Sequence, residues 1–133
     1  MKTVAVALLN IALVLVAFAA RADLTIEITQ GADNPTAIAV VPLAWQGAGV
    51  APEDMALVIE SDMVRSGQFA PVARTDMLGF PSTQEEVFYR DWRALETEYL
   101  LIGKASPAPD NGLRVDYELF DVLRQTRVFS GME

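Results

Sequence analysis

Residues Ile38 to Gly67 read IAVVPLAWQGAGVAPEDMALVIESDMVRSG, and their pattern predicts a strand, a turn and a helix in succession. The apolar beginning of this stretch, Ile38 to Leu43, predicts a buried strand. A glycine-rich turn follows from Gln46 to Val50. An amphipathic helix is expected to open at Pro52-Glu53-Asp54 and to end at Gly67, which can adopt the left-handed cap conformation. This order of strand, turn and helix is the first indication of an α/β domain.

The predicted helix has a single apolar stripe. Met55, Ile59 and Met63 recur every four residues, and Val58 widens the stripe. Pro52 suits the first helical position, where its missing N–H costs nothing. An apolar stripe of this kind must be buried, so we expect this face of the helix to lie on a sheet.

The chain begins with a predicted export signal, Met1 to Ala22. It has one basic residue at its start, Lys2, then an apolar run from Val4 to Ala20, and it ends in Ala-Arg-Ala. This pattern predicts a signal peptide cleaved after Ala22. A permanent membrane anchor is the alternative, because the run is close to the ~20 residues that a span requires. With no cysteine for a disulfide or a lipid, the mature form is expected to be soluble, without stable membrane insertion.

The predicted mature chain is strongly acidic. Removal of residues 1–22 takes away two basic residues and no acid, which leaves 8 basic and 18 acidic residues and a formal charge of −10. Such a surface repels nucleic-acid backbones and anionic lipid headgroups and attracts a basic protein partner. The 111 remaining residues fit one small domain.

The mature N-terminus combines a short strand pattern with a predicted hinge. In Asp23 to Ile28, apolar residues alternate with polar ones. A cluster of turn formers follows from Gln30 to Pro35. A terminal strand beyond a hinge can pair with its own sheet as an ordinary edge strand, or with the sheet of another protein. The residues alone leave both possibilities open.

The next segments predict an edge strand and a second helix. Phe69 to Ala73 can form a short strand, in which Pro71 favours the edge of the sheet. Gln84 to Leu95 has helix formers, and a shorter helix from Tyr89 to Leu95 is the alternative. The residues on its expected inward face are Val87, Phe88, Trp92 and Leu95. Trp92 is therefore predicted to be a core residue, whereas the pattern assigns no role to Trp45.

The last third of the chain predicts an antiparallel meander. Tyr99 to Ala105 is a continuous apolar run typical of a central strand. Pro109-Asp110-Asn111-Gly112 predicts a hairpin turn. Leu113 to Asp121 alternates between apolar and charged residues, as expected of a strand with one buried face. After a second turn, Arg127 to Met132 is expected to return alongside.

The chain offers little for catalysis. It contains no histidine and no cysteine, which excludes Ser-His and Cys-His nucleophile systems and the usual nitrogen and sulfur metal sites. Gly47-Ala48-Gly49 is only a partial dinucleotide fingerprint, because Pro52 occupies the place of the third glycine. Three acidic pairs have plainer roles at helix ends or on solvated faces: Glu53/Asp54, Glu85/Glu86 and Glu96/Glu98. We expect no enzyme, no cofactor and no metal site.

Longer stretches, taken in order, are similar to a known family. They are DLTIEITQGADNPTAIAVVPLAW, GAGVAPEDMALVIESDMVRSGQFAPV, Trp92 and YLLIGKASPAPDNGLRVDYELFD, preceded by the cleavable leader. Together they resemble the amino-terminal domain of the TolB family, periplasmic proteins of the Tol-Pal system. The resemblance implies an α/β (α+β) fold of two layers, a mixed sheet covered by helices on one face, similar to anticodon-binding domains of synthetases.

The resemblance also implies a function without catalysis. Members of the family are periplasmic adaptors in Gram-negative bacteria. They link TolA, an inner-membrane protein, to Pal, a peptidoglycan-binding lipoprotein, and they support envelope integrity and cell division. TolA binds the segment after the signal peptide, which in this chain is Asp23 to Asp33. Pal binds a carboxy-terminal β-propeller that this sequence lacks, since it stops inside the expected last strand, as a fragment or a truncated form.

These considerations give a division of the chain into three parts. Residues 1–22 are the signal peptide, residues 23–34 the flexible partner-binding segment with its hinge, and residues 35–133 the incomplete α/β domain, expected to be monomeric. The partner-binding residues are expected to be Asp23, Leu24, Thr25, Ile26, Glu27, Ile28 and Thr29, and the hinge residues Gly31, Asn34 and Pro35. They are expected to act by β-strand addition.

A different class of function stays open beside the adaptor. A domain of this kind can also be a periplasmic ligand-binding module or an assembly domain of a secretion system, since one fold serves unrelated functions. A ligand module should have a concave pocket with convergent polar groups near Trp45 or the turn from Gly47 to Gly49.

Overall fold

The computed structural model describes residues 33–133, which form one mixed sheet with two α-helices. The elements are β1 (Thr36–Val40), β2 (Ala44–Trp45), α1 (Met55–Ser66), β3 (Phe69–Pro71), α2 (Tyr89–Ala94), β4 (Tyr99–Pro107), β5 (Leu113–Asp121) and β6 (Thr126–Met132). Short 3₁₀ turns lie at Arg74–Asp76, Gln84–Glu86 and Pro109–Asn111.

The strands are ordered β3-β1-β4-β5-β6, and β2 also pairs with β4. β1 runs parallel to both β3 and β4, whereas β4, β5 and β6 form antiparallel pairs. The predicted central strand, edge strand and meander are confirmed. Pro71 lies in the edge strand β3, where an imino group without an N–H is tolerated.

The first strand is displaced from its predicted position. It begins two residues earlier than Ile38 and ends at Val40 rather than Leu43. The N–H of Val41 still donates to the carbonyl oxygen of Leu101 at 2.9 Å. Pro42 comes next and has no N–H to continue this ladder, which explains the early end.

Helix α1 ends as predicted but begins later. Gly67 adopts the left-handed conformation, with φ of 68°, and its N–H donates to the carbonyl of Val64. The carboxylate of Asp54 accepts a hydrogen bond from the N–H of Leu57 at 3.2 Å. Asp54 therefore caps the helix from outside, and Met55 is the first helical residue. Val58 is exposed, so the apolar stripe is narrower than expected.

The two helices lie on opposite faces of the sheet. Ile38 and Val40 pack in a cluster with Ala56 of α1, whereas the alternate residues Ala39 and Val41 pack in a cluster with Trp92 of α2. We call these the α1 face and the α2 face. The α/β class with a mixed sheet is confirmed, but the layering differs from the expected cover on one face. Because β1 is apolar from Ala37 to Val40, both of its faces require cover.

The second helix is the shorter of the two alternatives, and its inward face differs from the prediction. Trp92 is 3% exposed and Val87 is also buried, as expected of core residues. Phe88, however, is 68% exposed, so its predicted inward position is wrong. The 3₁₀ turn at Gln84–Glu86 is not continuous with α2, and Phe88 has the non-helical dihedrals of a capping residue. Phe88 precedes the helix, so the helical period that would place its side chain inside does not apply to it.

Candidate functional site

The predicted partner-binding segment, Asp23 to Thr29, lies outside the described residues, as does the predicted hinge residue Gly31. The other two hinge residues, Asn34 and Pro35, are described, and both are exposed. They lie in irregular chain directly before β1. The segment thus joins the domain at the first residue of an interior strand.

Hydrogen bonds fix the chain from the start of β1 onward. The N–H of Thr36 donates to the carbonyl of Gln68 at 2.9 Å, on the side of β3. On the side of β4, the N–H of Glu98 donates to the carbonyl of Ala37 at 3.0 Å. Residues before Thr36 can therefore be removed or displaced without breaking the pairing of β1.

An apolar groove of about 800 Å³ crosses the α1 face. One wall is the stripe of α1, the floor is formed by β4 and β5, and the far wall belongs to β6. The lining residues are Thr36, Ile38, Met55, Ile59, Met63, Phe69, Tyr99, Leu101, Val115, Tyr117, Leu119, Val128, Phe129 and Glu133. Thr36, the first residue of β1, is one of the residues that line the groove.

The groove exists because helix α1 covers only part of the α1 face of the sheet. Ala56 is the one residue of α1 that is fully buried, and Met55, Ile59 and Met63 are half-buried at the edge of the groove. The prediction that the stripe lies on the sheet is thus correct for part of its width. Over β5 and β6 the apolar surface includes Tyr117 and Phe129, whose rings meet edge to face at 6.1 Å between centroids.

The turn from Gly47 to Gly49, near which a ligand module should have its pocket, packs against the side chain of Trp45. The indole N–H of Trp45 donates to the carbonyl of Ala48 at 3.3 Å. The same ring lies so close to Gly47 that a Cβ there would overlap it. The groove is elsewhere, and most of its lining is hydrocarbon. Among residues 33–133, convergent polar groups of the kind that a small-ligand site needs do not surround Trp45.

One member of each acidic pair predicted from the sequence has a structural partner: Asp54, Glu86 and Glu98. Asp54 caps α1 and contacts the guanidinium of Arg74, with Oδ2 2.7 Å from Nη1. Glu86 accepts hydrogen bonds from the backbone N–H groups of Ser82 at 2.7 Å and Thr83 at 3.2 Å. Glu98 accepts from the N–H of Ala37 at 3.4 Å. Each carboxylate therefore stabilises a turn, a helix end or a strand end.

These contacts also keep two of the carboxylates ionised. The hydrogen bond from Arg74 lowers the pKa of Asp54, against an opposing effect of partial burial. The N–H of Ser82 lowers the pKa of Glu86. Neither group is placed to donate a proton near neutral pH, as a general acid must. Among residues 33–133 no cluster of three or more carboxylates is positioned to hold a metal ion.

One surface feature was missed by the sequence reasoning. Leu78, Phe80 and Phe88 are 65%, 60% and 68% exposed, and they border a depression of about 400 Å³. We call these three residues the aromatic patch. The sequence signal for it is weak, since Leu78 and Phe80 lie in an irregular segment and Phe88 fits a helical pattern.

The helices of the described part are too short and too polar to cross a membrane.

Comparison with known sequences identifies a family. The family model for the TolB amino-terminal domain matches residues 24–128. The Tol-Pal system protein TolB of Marinomonas sp. is 49% identical over 109 residues, which are 82% of this chain and 25% of that relative. The TolB of Pseudomonas aeruginosa is 42% identical over 120 residues, which are 90% of this chain and 28% of the relative.

Comparison with solved structures supports the fold. The crystal structure of TolB from Acinetobacter baumannii matches with a TM-score of 0.60 and 24% identity, over 80% of this chain and 24% of that one. The LpoB C-terminal domain from Salmonella enterica also matches with a TM-score of 0.60, at 15% identity, over 78% of this chain and 86% of that domain. At these identities the structures show a shared fold only.

The matches cover only part of each TolB relative. It spans about a quarter of the length of the TolB sequences that it matches. The similarity to them extends over most of the described domain and includes the segment from Leu24 onward. The chain therefore belongs to the TolB family, with which it shares the amino-terminal domain.

Proposed function

We propose that the chain is a periplasmic adaptor of the Tol-Pal system that binds the C-terminal domain of TolA through Asp23 to Thr29. TolB proteins are non-enzymatic components of this system. The observation that carries the proposal is the extent of the family match, which begins at Leu24. The segment directly after the predicted cleavage site is thus part of what the family shares.

Strand addition is the proposed mode of binding. Leu24, Ile26 and Ile28 alternate with polar residues, so an extended segment presents one apolar face. Its main-chain groups would bond to an edge strand of TolA, while the apolar face would enter pockets between alternate side chains. At a net ~1 kcal/mol per hydrogen bond, offset by the cost of ordering the segment, we expect micromolar affinity.

Charge complementarity supports a basic partner. The segment contributes Asp23 and Glu27, and residues 33–133 contribute 16 acidic and 8 basic residues. A negative protein of this kind accelerates association with a positive one through long-range attraction. The reversals Asp23→Lys and Glu27→Lys should therefore slow association and reduce its dependence on salt. The reversal Glu53→Lys, on an exposed residue before α1, is the control.

Calorimetric titration tests the site of binding. Residues 23–133 and residues 35–133 are each titrated with the C-terminal domain of TolA, after circular dichroism has shown that both fold. The shorter form keeps every hydrogen bond of β1, because these begin at Thr36. Binding by the longer form only supports the proposal. Equal binding by both forms would move the site onto the folded domain, and no binding by either would contradict the adaptor role.

Two substitutions test whether binding depends on the alternating, extended conformation of the segment or only on its presence. Ile26→Asn changes the apolar face, and Thr25→Asn changes the opposite one. We expect Ile26→Asn to weaken binding at least about tenfold and Thr25→Asn to leave it nearly unchanged. Equal losses would argue against an alternating, extended mode of binding.

The link to Pal is proposed for the longer relatives rather than for this stretch alone. In them, the part beyond the amino-terminal domain would bind Pal as a β-propeller, so that the two binding sites lie in different domains. Residues 23–133 are therefore expected to bind TolA without binding Pal. Measurable binding of Pal to residues 23–133 in the same calorimeter would contradict this division.

A further inference from the structure

The aromatic patch lies in a segment that is held firmly at both ends. Met77 and Val87 are buried in the core of the α2 face, and Pro81 is buried between them. The intervening turn is fixed by Glu86, whose carboxylate accepts hydrogen bonds from the backbone N–H groups of Ser82 and Thr83. The exposure of the three apolar side chains is thus imposed by a fixed backbone.

The depression beside the patch has apolar walls and acidic charges. Its lining residues are Leu78, Gly79, Phe80, Pro81, Glu86, Phe88, Asp91 and Trp92. Both charged residues in this set are acids, Glu86 and Asp91. The patch belongs to the α2 face, where the neighbouring Met77, Val87 and Trp92 pack, whereas the groove lies on the α1 face.

We propose that the aromatic patch is a second docking surface, which takes an aromatic side chain flanked by arginine or lysine on a basic protein segment. Exposed aromatic residues around a pocket are typical anchors of protein interfaces. The aromatic ring would enter the depression between Phe80 and Phe88, and the flanking cations would lie beside Glu86 and Asp91. An arginine is favoured, since its planar guanidinium both stacks on aromatic rings and pairs with carboxylates.

One ion pair must be exchanged for this contact. Arg90 Nε lies 3.2 Å from Asp91 Oδ1, but the side chain of Arg90 is almost fully exposed. An exposed pair of this kind contributes little to stability and is easily replaced by a cation from the partner. Among the described residues Glu86 forms no ion pair, because its hydrogen bonds come from backbone N–H and hydroxyl groups; Lys104 acts on it only at longer range.

Self-association is disfavoured by the same charges. Residues 33–133 have a formal charge of −8, and the depression has acids on its own border. Two copies meeting at this surface would bring like charges together, which costs free energy. The charges therefore favour a basic segment of another protein over a second copy.

The probe for this surface is the peptide acetyl-Arg-Trp-Arg-amide, titrated into ¹⁵N-labelled residues 23–133, which contain all of the described residues. We expect weak, millimolar binding, with amide shifts confined to residues 78–92 and to the indole of Trp92. Acetyl-Glu-Trp-Glu-amide and acetyl-Arg-Ser-Arg-amide are the matched probes, which remove the charge complementarity and the aromatic ring in turn. Both should shift these signals far less.

Substitutions assign the shifts to the patch. The double substitution Phe80→Ser/Phe88→Ser should weaken binding at least about tenfold, and Asp91→Asn should weaken it a few-fold, more so at low salt. Leu123→Ser is the control, because Leu123 is 66% exposed in the turn between β5 and β6. It should bind the peptide as the parent does.

Three outcomes would overturn the proposal. They are the absence of shifts, an equal response to the acidic peptide, and shifts in the groove around Met63 and Tyr117. Sedimentation gives a further check. Concentration-dependent dimerisation that the double substitution abolishes would assign the patch to a second copy of the chain instead.

Discussion

Arg74 contacts both carboxylate oxygens of Asp54: its Nη1 lies 2.7 Å from Oδ2, and its Nη2 lies 3.2 Å from Oδ1. Its Nε also donates to Glu60 at 3.1 Å. Asp54 caps α1, Glu60 lies in the middle of the same helix, and Arg74 follows β3. One guanidinium thus connects the edge of the sheet to the helix that covers it.

Substitutions at this pair should destabilise the domain. We expect Asp54→Ala to lower the free energy of unfolding by about 1–2 kcal/mol, since it removes both the helix cap and an ion pair. Arg74→Ala should cost about 1 kcal/mol. Urea denaturation measures both. Arg65→Ala, which removes only the exposed pair with Asp62, should cost no more than ~0.5 kcal/mol. Strict additivity in the double variant of Asp54 and Arg74 would contradict a direct coupling.

The same hydrogen bonds predict how stability depends on pH. The hydrogen bond from Arg74 lowers the pKa of Asp54 below its ordinary value of 3.8, and the N–H of Arg124 lowers that of Asp121. Because the folded-state pKa is the lower one, both carboxylates stabilise the fold above the unfolded pKa. This stabilisation is lost as the pH falls through the folded pKa.

Urea midpoints at several pH values check this sign. The stabilisation from Asp54 and Asp121 should persist from pH 7 to about 5 and decline below about 4. In Asp54→Asn and Asp121→Asn the decline should be shallower. A stability difference between the parent and the Asn variants that grows as the pH falls below 4 would mean that the two pKa values are raised rather than lowered.

The meander was the most predictable part of the fold. β5 has the same bounds as its prediction, Leu113–Asp121, because apolar and charged residues alternate without interruption from Leu113 to Leu119. The turn at Pro109 to Gly112 and the cap at Gly67 were also predictable, since few residue types adopt their backbone conformations. Signals within a few neighbouring residues were sufficient for these elements.

Tertiary features were not predictable in the same way. The sequence gives no sign of which face of the sheet a helix covers, so the separation of α1 and α2 was missed. The sequence pattern places Phe88 inside only if the helical period continues across the break between Gln84–Glu86 and α2, and it does not. The groove and the aromatic patch depend on how much surface each helix leaves uncovered, which is a property of the packed domain.

Two glycines provide a matched test of the close approach between β4 and β5. A Cβ at Gly103 would overlap the carbonyl oxygen of Asp116 on the neighbouring strand, whereas a Cβ at Gly79 would have no neighbour within 4 Å. Gly103→Ala should therefore force the strands apart and cost about 3 kcal/mol. Gly79→Ala should change the stability by less than ~0.5 kcal/mol. Thermal unfolding measures both, and equal melting temperatures would contradict the close approach at Gly103.

Trp92 and Phe88 give the last comparison, since they are four residues apart and have opposite environments. Trp92 is 3% exposed in the core of the α2 face, so Trp92→Ala should cost about 3–5 kcal/mol and approach the whole stability of a small domain. Phe88 is 68% exposed, so Phe88→Ala should stay within ~0.5 kcal/mol of the parent in urea denaturation. A large loss of stability in Phe88→Ala would mean that Phe88 packs in the core. A small loss of stability would mean that the ring of Phe88 is exposed in the free domain. Any peptide binding that is lost when Phe88 is substituted then reflects a change in the surface rather than unfolding.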